Sequence, residues 1–141
     1  MPLGLKIDIL LIGNNGSALE SLKSVLRGYP RLGSMQWCDK CIDGIAKINN
    51  RRPGLVLLAS SLLLEEATTC IREIQKLRPQ PISLAILEGH HRYQQVLSVG
   101  VSDVLMNGYS VQELFDKIDF LQVSSAAFHV SNPGFAVDTA F

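Results

Sequence analysis

The chain has 141 residues, a length typical of one domain, and its thirteen basic and thirteen acidic side chains cancel to a formal net charge of zero. A dedicated nucleic-acid binder normally carries an excess of positive charge, so direct binding of DNA or RNA by this chain alone is disfavoured. No apolar stretch approaches the roughly 20 residues that span a bilayer, and three cysteines are too few for a disulfide scaffold, so we expect a cytoplasmic protein that does not contact membranes.

Five short apolar runs alternate with stretches of helical periodicity. Each run is almost continuously apolar, as expected of a parallel strand whose two faces are both covered. The runs occupy residues 7–12, 34–38, 54–59, 82–87 and 103–106. Strands and helices that alternate in this way predict a flavodoxin-like (βα)5 sandwich built on a five-stranded parallel sheet.

Apolar residues spaced three and four positions apart predict a helix after each strand. The predicted helices begin near Ser17, Cys41, Ser60 and Ser61, His90, and Ser110. The last helix has the clearest start, because Ser110 and Glu113 match a capping box. Its apolar stripe consists of Leu114, Ile118 and Leu121.

The composition changes after the last predicted helix. Residues 124–127 read Ser-Ser-Ala-Ala, and Pro133 and Gly134 follow soon after. We therefore expect residues 1–121 to form the domain and residues 122–141 to form a tail or a truncated linker.

Four segments carry a resemblance to a known family. They are residues 9–12 in the first strand, 52–58 at the third, 100–106 around the fifth, and 110–114 at the start of the last helix. Because of the order and spacing of these four segments, the chain resembles a response-regulator receiver domain of the LuxR/NarL type over about residues 7–121. The resemblance implies a module of two-component signalling or transcription regulation.

The receiver family keeps its phosphorylation chemistry at the ends of the strands. Two acidic residues hold Mg²⁺, an aspartate accepts the phosphoryl group, and a Ser or Thr and a Lys complete the site. The matching positions in this chain are Gly13, Asn14, Ala59, Glu88 and Asn107. Ala59 has no nucleophilic atom, and the first two positions offer no charge to a metal ion. The resemblance with these departures predicts a pseudo-receiver, with no enzymatic activity, no cofactor and no bound metal.

A Trp-Cys-x-x-Cys pattern at Trp37, Cys38 and Cys41 is the strongest competing signal. At a strand-to-helix junction this arrangement is typical of thioredoxins, in which the helix N-terminus activates the first thiol. A thiol oxidoreductase that uses Cys38 and Cys41 is therefore one alternative function. In thioredoxins a hairpin follows the strand that corresponds to the fourth strand of this chain. Here residues 89–100, which follow that strand, favour a helix that leads to another parallel strand. We therefore expect structural roles for both thiols, and a place in the core for Cys70.

Two further polar segments are weaker candidates for sites. His90 and His91 have no companion ligands at metal-site spacing, which favours a solvated loop. Residues 13–16 follow the first strand, where α/β folds hold phosphates, but they do not match G-x-G-x-x-G. The second alternative function is a small-ligand sensor that uses the vacated carboxyl edge of the sheet.

Several apolar residues predict a protein-binding surface. Leu62, Leu63 and Leu64 are consecutive, so a helix cannot bury all three on one stripe, and at least one of them is expected either to cover the vacated pocket or to contact a partner. The other candidates lie in the final strand and helix, and they are Val104, Tyr109, Phe115 and Phe120. We expect the module to act by contact with a protein partner, as a homodimer or with another regulator.

Overall fold

Strands and helices alternate strictly in the computed structural model, which describes residues 6–60, 64–88 and 93–131. The strands are β1 (Ile7–Ile12), β2 (Leu32–Cys38), β3 (Leu55–Leu58), β4 (Ser83–Leu87) and β5 (Asp103–Met106). The helices are α1 (Ser17–Arg27), α2 (Cys41–Asn50), α3 (Leu64–Gln75), α4 (Tyr93–Val99) and α5 (Val111–Ser131). All five predicted strands are present. The predicted starts of α3 and α4 fall partly outside the described residues.

The five strands form one parallel sheet in the order β2-β1-β3-β4-β5. This arrangement confirms the flavodoxin-like (βα)5 prediction. Every residue of β3 and β4 is buried, whereas most residues of β2 are partly or fully exposed because this strand lies at an edge of the sheet.

Side chains of β1 alternate between two apolar layers. Leu10 and Ile12 belong to a cluster that also contains buried residues of α2, α3 and α4. Ile9 and Leu11 are equally buried and point to the opposite face, because successive side chains of a strand alternate. This alternation places the core on both sides of the sheet and leaves the strand ends as the accessible edge.

The chain divides into two compact units between Tyr109 and Ser110, and α5 lies in the second unit. Its capping box is confirmed: the Glu113 amide donates to the Ser110 hydroxyl at 3.0 Å, and the Ser110 amide donates to the Glu113 carboxylate at 2.7 Å. The predicted stripe of Leu114, Ile118 and Leu121 is buried.

The end of α5 differs from the prediction. The helix continues past Leu121 to Ser131, so residues 122–131 are helical. The change of composition after Leu121 wrongly predicted the end of the helix. Serine and alanine are tolerated inside helices, and no proline or glycine intervenes before Pro133. That residues 122–141 serve as a linker stays a prediction. No helix in the described ranges is long and apolar enough to cross a membrane.

Candidate functional site at the carboxyl edge of the sheet

The positions that the resemblance matches to a phosphorylation site lie at one edge of the sheet. Gly13 follows β1, Ala59 follows β3, Glu88 follows β4 and Asn107 follows β5, and these four strands are consecutive neighbours. Backbone hydrogen bonds continue the sheet into this edge: the Ala59 amide donates to Ile12 at 2.9 Å, and the Asn107 amide donates to Leu87 at 2.7 Å. The predicted convergence of these positions is therefore present. Asn14, the fifth position, is half-buried and follows Gly13 directly.

Glu88 and Asn107 are bonded to each other. The Asn107 side-chain amide donates a hydrogen bond to the Glu88 carboxylate at 3.1 Å, which joins the ends of β4 and β5. The resemblance would place a hydroxyl and an ammonium group at these positions to hold a phosphoryl group. Here a carboxylate and a neutral amide bond to each other, so this pair offers an anionic phosphoryl group no positive charge.

Trp37 lies at the same edge of the sheet, on the side formed by β1 and β2. Its indole N–H donates to the carbonyl oxygen of Gly13 at 2.9 Å, and the ammonium group of Lys23 lies 4.1 Å from the centre of its ring. Lys23 also pairs with Glu20 at 3.1 Å. These contacts connect α1, β2 and the end of β1 at the position where the resemblance would place a metal ion. Sequence reasoning missed this role, because it assigned Trp37 to a redox pattern.

A cavity of about 30 Å³ lies beside Ala59. Its lining residues are Ala18, Leu19, Leu22, Ala59, Ser60, Ile86, Asn107 and Tyr109, none of which carries a formal charge at neutral pH. Burial raises the pKa of the Tyr109 hydroxyl, so this group also stays neutral. A volume of this size holds about one water molecule, whereas small-molecule pockets measure roughly 300 Å³ or more. Within the described residues, no group of three or more His, Cys, Asp or Glu side chains could hold a metal ion.

The three cysteines of the chain gather between β2, α2 and α3. Cys38 ends β2 and is buried, and burial raises the pKa of its thiol to about 11. Cys41 is the first residue of α2 and half-buried, and its thiol is hydrogen-bonded to that of Cys70 in α3. The structure confirms the predicted core position of Cys70. In thioredoxin-like chemistry the first thiol is the activated one, whereas here the environment of Cys38 disfavours its thiolate.

Native Cys38 should therefore react slowly with iodoacetamide. At about pH 8, a pKa of about 11 in place of 9.0 lowers the thiolate fraction roughly 100-fold. We expect Cys41 to be alkylated first, and the Cys38 rate to rise with pH until the thiol has titrated. Peptide mass spectrometry at timed quenches measures both rates, and unfolded protein supplies the reference. Fast labelling of native Cys38 would instead favour the oxidoreductase alternative.

The predicted interface residues have different environments. Phe120 is 60% exposed, as expected from its position off the apolar stripe, and Tyr109 and Phe115 are half-buried. The prediction for Val104 is wrong, because this side chain is 7% exposed and belongs to the core cluster. Leu64 begins α3, whereas Leu62 and Leu63, like His90 and His91, lie outside the described residues.

Comparison with solved structures gives many confident matches. A LuxR-family two-component response regulator from Aurantimonas matches with a TM-score of 0.75 and 12% identity over 84% of this chain and 86% of that one. A signal receiver domain from Vibrio parahaemolyticus matches with a TM-score of 0.73 and 15% identity over 92% of this chain and 100% of that one. A Francisella response-regulator receiver domain matches with a TM-score of 0.69 and 11% identity over 85% and 99%. No family model and no curated protein matches the chain. At these identities the likeness shows a shared fold.

Proposed function

We propose that this chain, whose fold is that of response-regulator receiver domains, is a signalling module that works without phosphorylation, through contact with a protein partner. The observation that carries this proposal is the hydrogen bond between Glu88 and Asn107. In a phosphorylatable receiver these two positions hold the phosphoryl group, whereas here they bond to each other.

The neighbouring positions support the same conclusion. Ala59, which takes the place of the phosphate acceptor, has only a methyl group and so cannot form an acyl phosphate. Gly13 and Asn14 supply no carboxylate oxygen, which is the ligand that Mg²⁺ prefers. The Gly13 carbonyl oxygen already accepts the Trp37 indole bond. The acceptor, the metal ligands and the charge-neutralising lysine are thus missing together, so catalysis of phosphoryl transfer at this edge is not expected.

Acetyl phosphate with Mg²⁺ should leave the mass of the intact protein unchanged, because the edge has neither an acceptor carboxylate nor ligands for the metal. A receiver domain that keeps its aspartate, treated in the same tube, provides the positive control and should gain one phosphoryl group. A stoichiometric gain on this chain at an aspartate would show that the positions were aligned wrongly, and the proposal would fail.

The exposed side of α5 supplies the candidate contact surface. Phe120 and Val123 are 60% and 57% exposed, and residues three apart lie on the same side of a helix. Val111, also exposed, precedes Phe120 by nine residues and so projects from the opposite side, since each residue turns the helix by about 100°. We infer that Phe120 and Val123 contact a protein partner, which is a second copy of this chain or another regulator.

Phe120→Ala should weaken this association, because truncation of a central aromatic anchor costs on the order of 2 kcal/mol, or about 30-fold in Kd. Sedimentation velocity over a concentration series measures self-association, and pull-down measures capture of a regulator. Val111→Ala is the matched control, since it removes an exposed apolar side chain from the other side of the same helix. Equal behaviour of both variants and the parent chain would exclude this surface.

A further inference from the structure

The three cysteines form a cluster whose members differ in access to solvent. Cys38 and Cys70 are buried, with 6% and 0% of their surface exposed, whereas Cys41 is half-buried. Cys41 packs at the margin of the apolar cluster that contains the other two. Because this chain has only these three cysteines, its entire thiol content lies in one place.

Cys41 also borders an open groove between α2 and α3. The groove has a volume of about 610 Å³, and its lining residues are Cys41, Ile42, Ile45, Ala46, Asn49, Thr69 and Glu73. Thr69 precedes Cys70, which is fully buried in the apolar cluster against which Cys41 packs, and the Cys70 thiol hydrogen-bonds to that of Cys41. A small oxidant in the groove therefore meets Cys41, whereas Cys70 has no exposed surface.

We propose that Cys41 and Cys70 are a peroxide-oxidisable pair that forms a disulfide between α2 and α3. This pair differs from the Cys38 and Cys41 pair of the sequence pattern, because it joins α2 to α3 rather than β2 to α2. The inference does not depend on the proposed signalling role.

The reaction proceeds in two balanced steps. The Cys41 thiolate attacks one oxygen of hydrogen peroxide, the O–O bond breaks, and the departing hydroxide is protonated to water, which leaves a sulfenic acid on Cys41. The Cys70 sulfur then attacks the Cys41 sulfur, the S–S bond forms and the S–O bond breaks. The hydroxyl group and the Cys70 proton leave as the second water. Two thiols and one peroxide thus give one disulfide and two waters.

The two thiols are suited to different steps. The hydrogen bond from the Cys70 thiol lowers the pKa of Cys41, and burial and the nearby Glu73 carboxylate oppose this effect. The position of Cys41 in the first turn of α2 also favours its thiolate. The same hydrogen bond and burial raise the pKa of Cys70, so this thiol stays protonated at neutral pH and is not the one that peroxide oxidises first.

Peptide mapping of peroxide-treated protein tests the proposal. Lys40 separates Cys38 from Cys41, and Lys47 and Arg51 separate Cys41 from Cys70, so trypsin places the three thiols on three peptides. We expect the intact protein to lose the mass of two hydrogen atoms, and one cross-linked peptide pair to join Cys41 to Cys70. Thiol reductant should reverse both changes.

Three variants separate the roles of the thiols. Cys38→Ser should retain the cross-link, Cys41→Ser should lose it, and Cys70→Ala should stop at a sulfenic acid that dimedone traps on Cys41. A cross-link between Cys38 and Cys41, a cross-link between two chains, or no cross-link in folded parent protein at peroxide levels that oxidise free cysteine would each overturn the proposal. Because the mapping uses the parent chain, this test stands even if a variant fails to fold.

Discussion

Ala59→Asp should destabilise the folded protein by about 3 kcal/mol at neutral pH and should not enable phosphorylation. Ala59 is only 6% exposed, and the small cavity beside it is lined by uncharged residues. A carboxylate there loses its hydration without gaining a cation among the described neighbours, which costs on the order of several kcal/mol unless the group takes up a proton. Urea unfolding at pH 7 measures the loss of stability.

Ala59→Asn is the matched control, because it adds nearly the same volume without a charge. Burial raises the folded pKa of the introduced carboxyl above its unfolded value of about 3.9. The stability of the acid variant is therefore greatest below about pH 4 and is lost as pH rises through the folded pKa. The two variants should be equally stable at low pH and diverge towards pH 7. Equal stability at pH 7 would mean that the edge accommodates a charge, which would contradict the uncharged site described above.

Gly100→Ala should cost about 2 kcal/mol of unfolding free energy, because two effects combine at this position. Gly100 has a φ of +114°, and a residue with a side chain adopts such a backbone conformation only at a cost of roughly 1–2 kcal/mol. An added Cβ would also overlap the Gln75 side-chain nitrogen, and so would displace the amide that donates to the Gly100 carbonyl oxygen. Loss of this half-buried hydrogen bond contributes roughly 1 kcal/mol more.

Gly108→Ala measures the cost of a side chain at positive φ without a displaced neighbour. Gly108 has a φ of +97°, but an added Cβ meets no atom within 4 Å. We expect a loss of about 1 kcal/mol there, measured with Gly100→Ala in the same urea titrations. If the two variants lose equal stability, the contact between α3 and the turn before β5 contributes nothing measurable.

Local pattern was sufficient to predict the sheet and the capping of α5. The apolar runs around Leu57 and Leu84 are buried on both faces, and Ser110 and Glu113 act within a single turn of helix. Such features depend on neighbours in sequence, which a sequence pattern reports directly. The same reasoning placed the altered positions at one edge, because parallel strands end at the same side of a sheet.

The contacts that occupy the edge could not be predicted in this way. The bond between Glu88 and Asn107 joins residues nineteen positions apart, and the Trp37 bond to Gly13 joins residues twenty-four positions apart. The sequence around each of these residues does not indicate which distant residue it contacts. Val104 shows the reverse error: it was predicted to lie in a protein-binding surface, whereas its side chain belongs to the core cluster, into which alternation along β5 directs it.

The hydrogen bonds at the carboxyl edge of the sheet, between Glu88 and Asn107 and between Trp37 and Gly13, also constrain how this sequence can change. Phosphotransfer at this edge would need an acceptor at Ala59, carboxylates at Gly13 and Asn14 and a cation at Asn107, and these positions follow three separate strands. No single substitution confers activity, and the first of them buries a charge that nothing yet neutralises. A chain that acquired these groups one at a time would therefore lose stability at the first step, whereas substitutions at exposed residues such as Phe120 meet no such barrier.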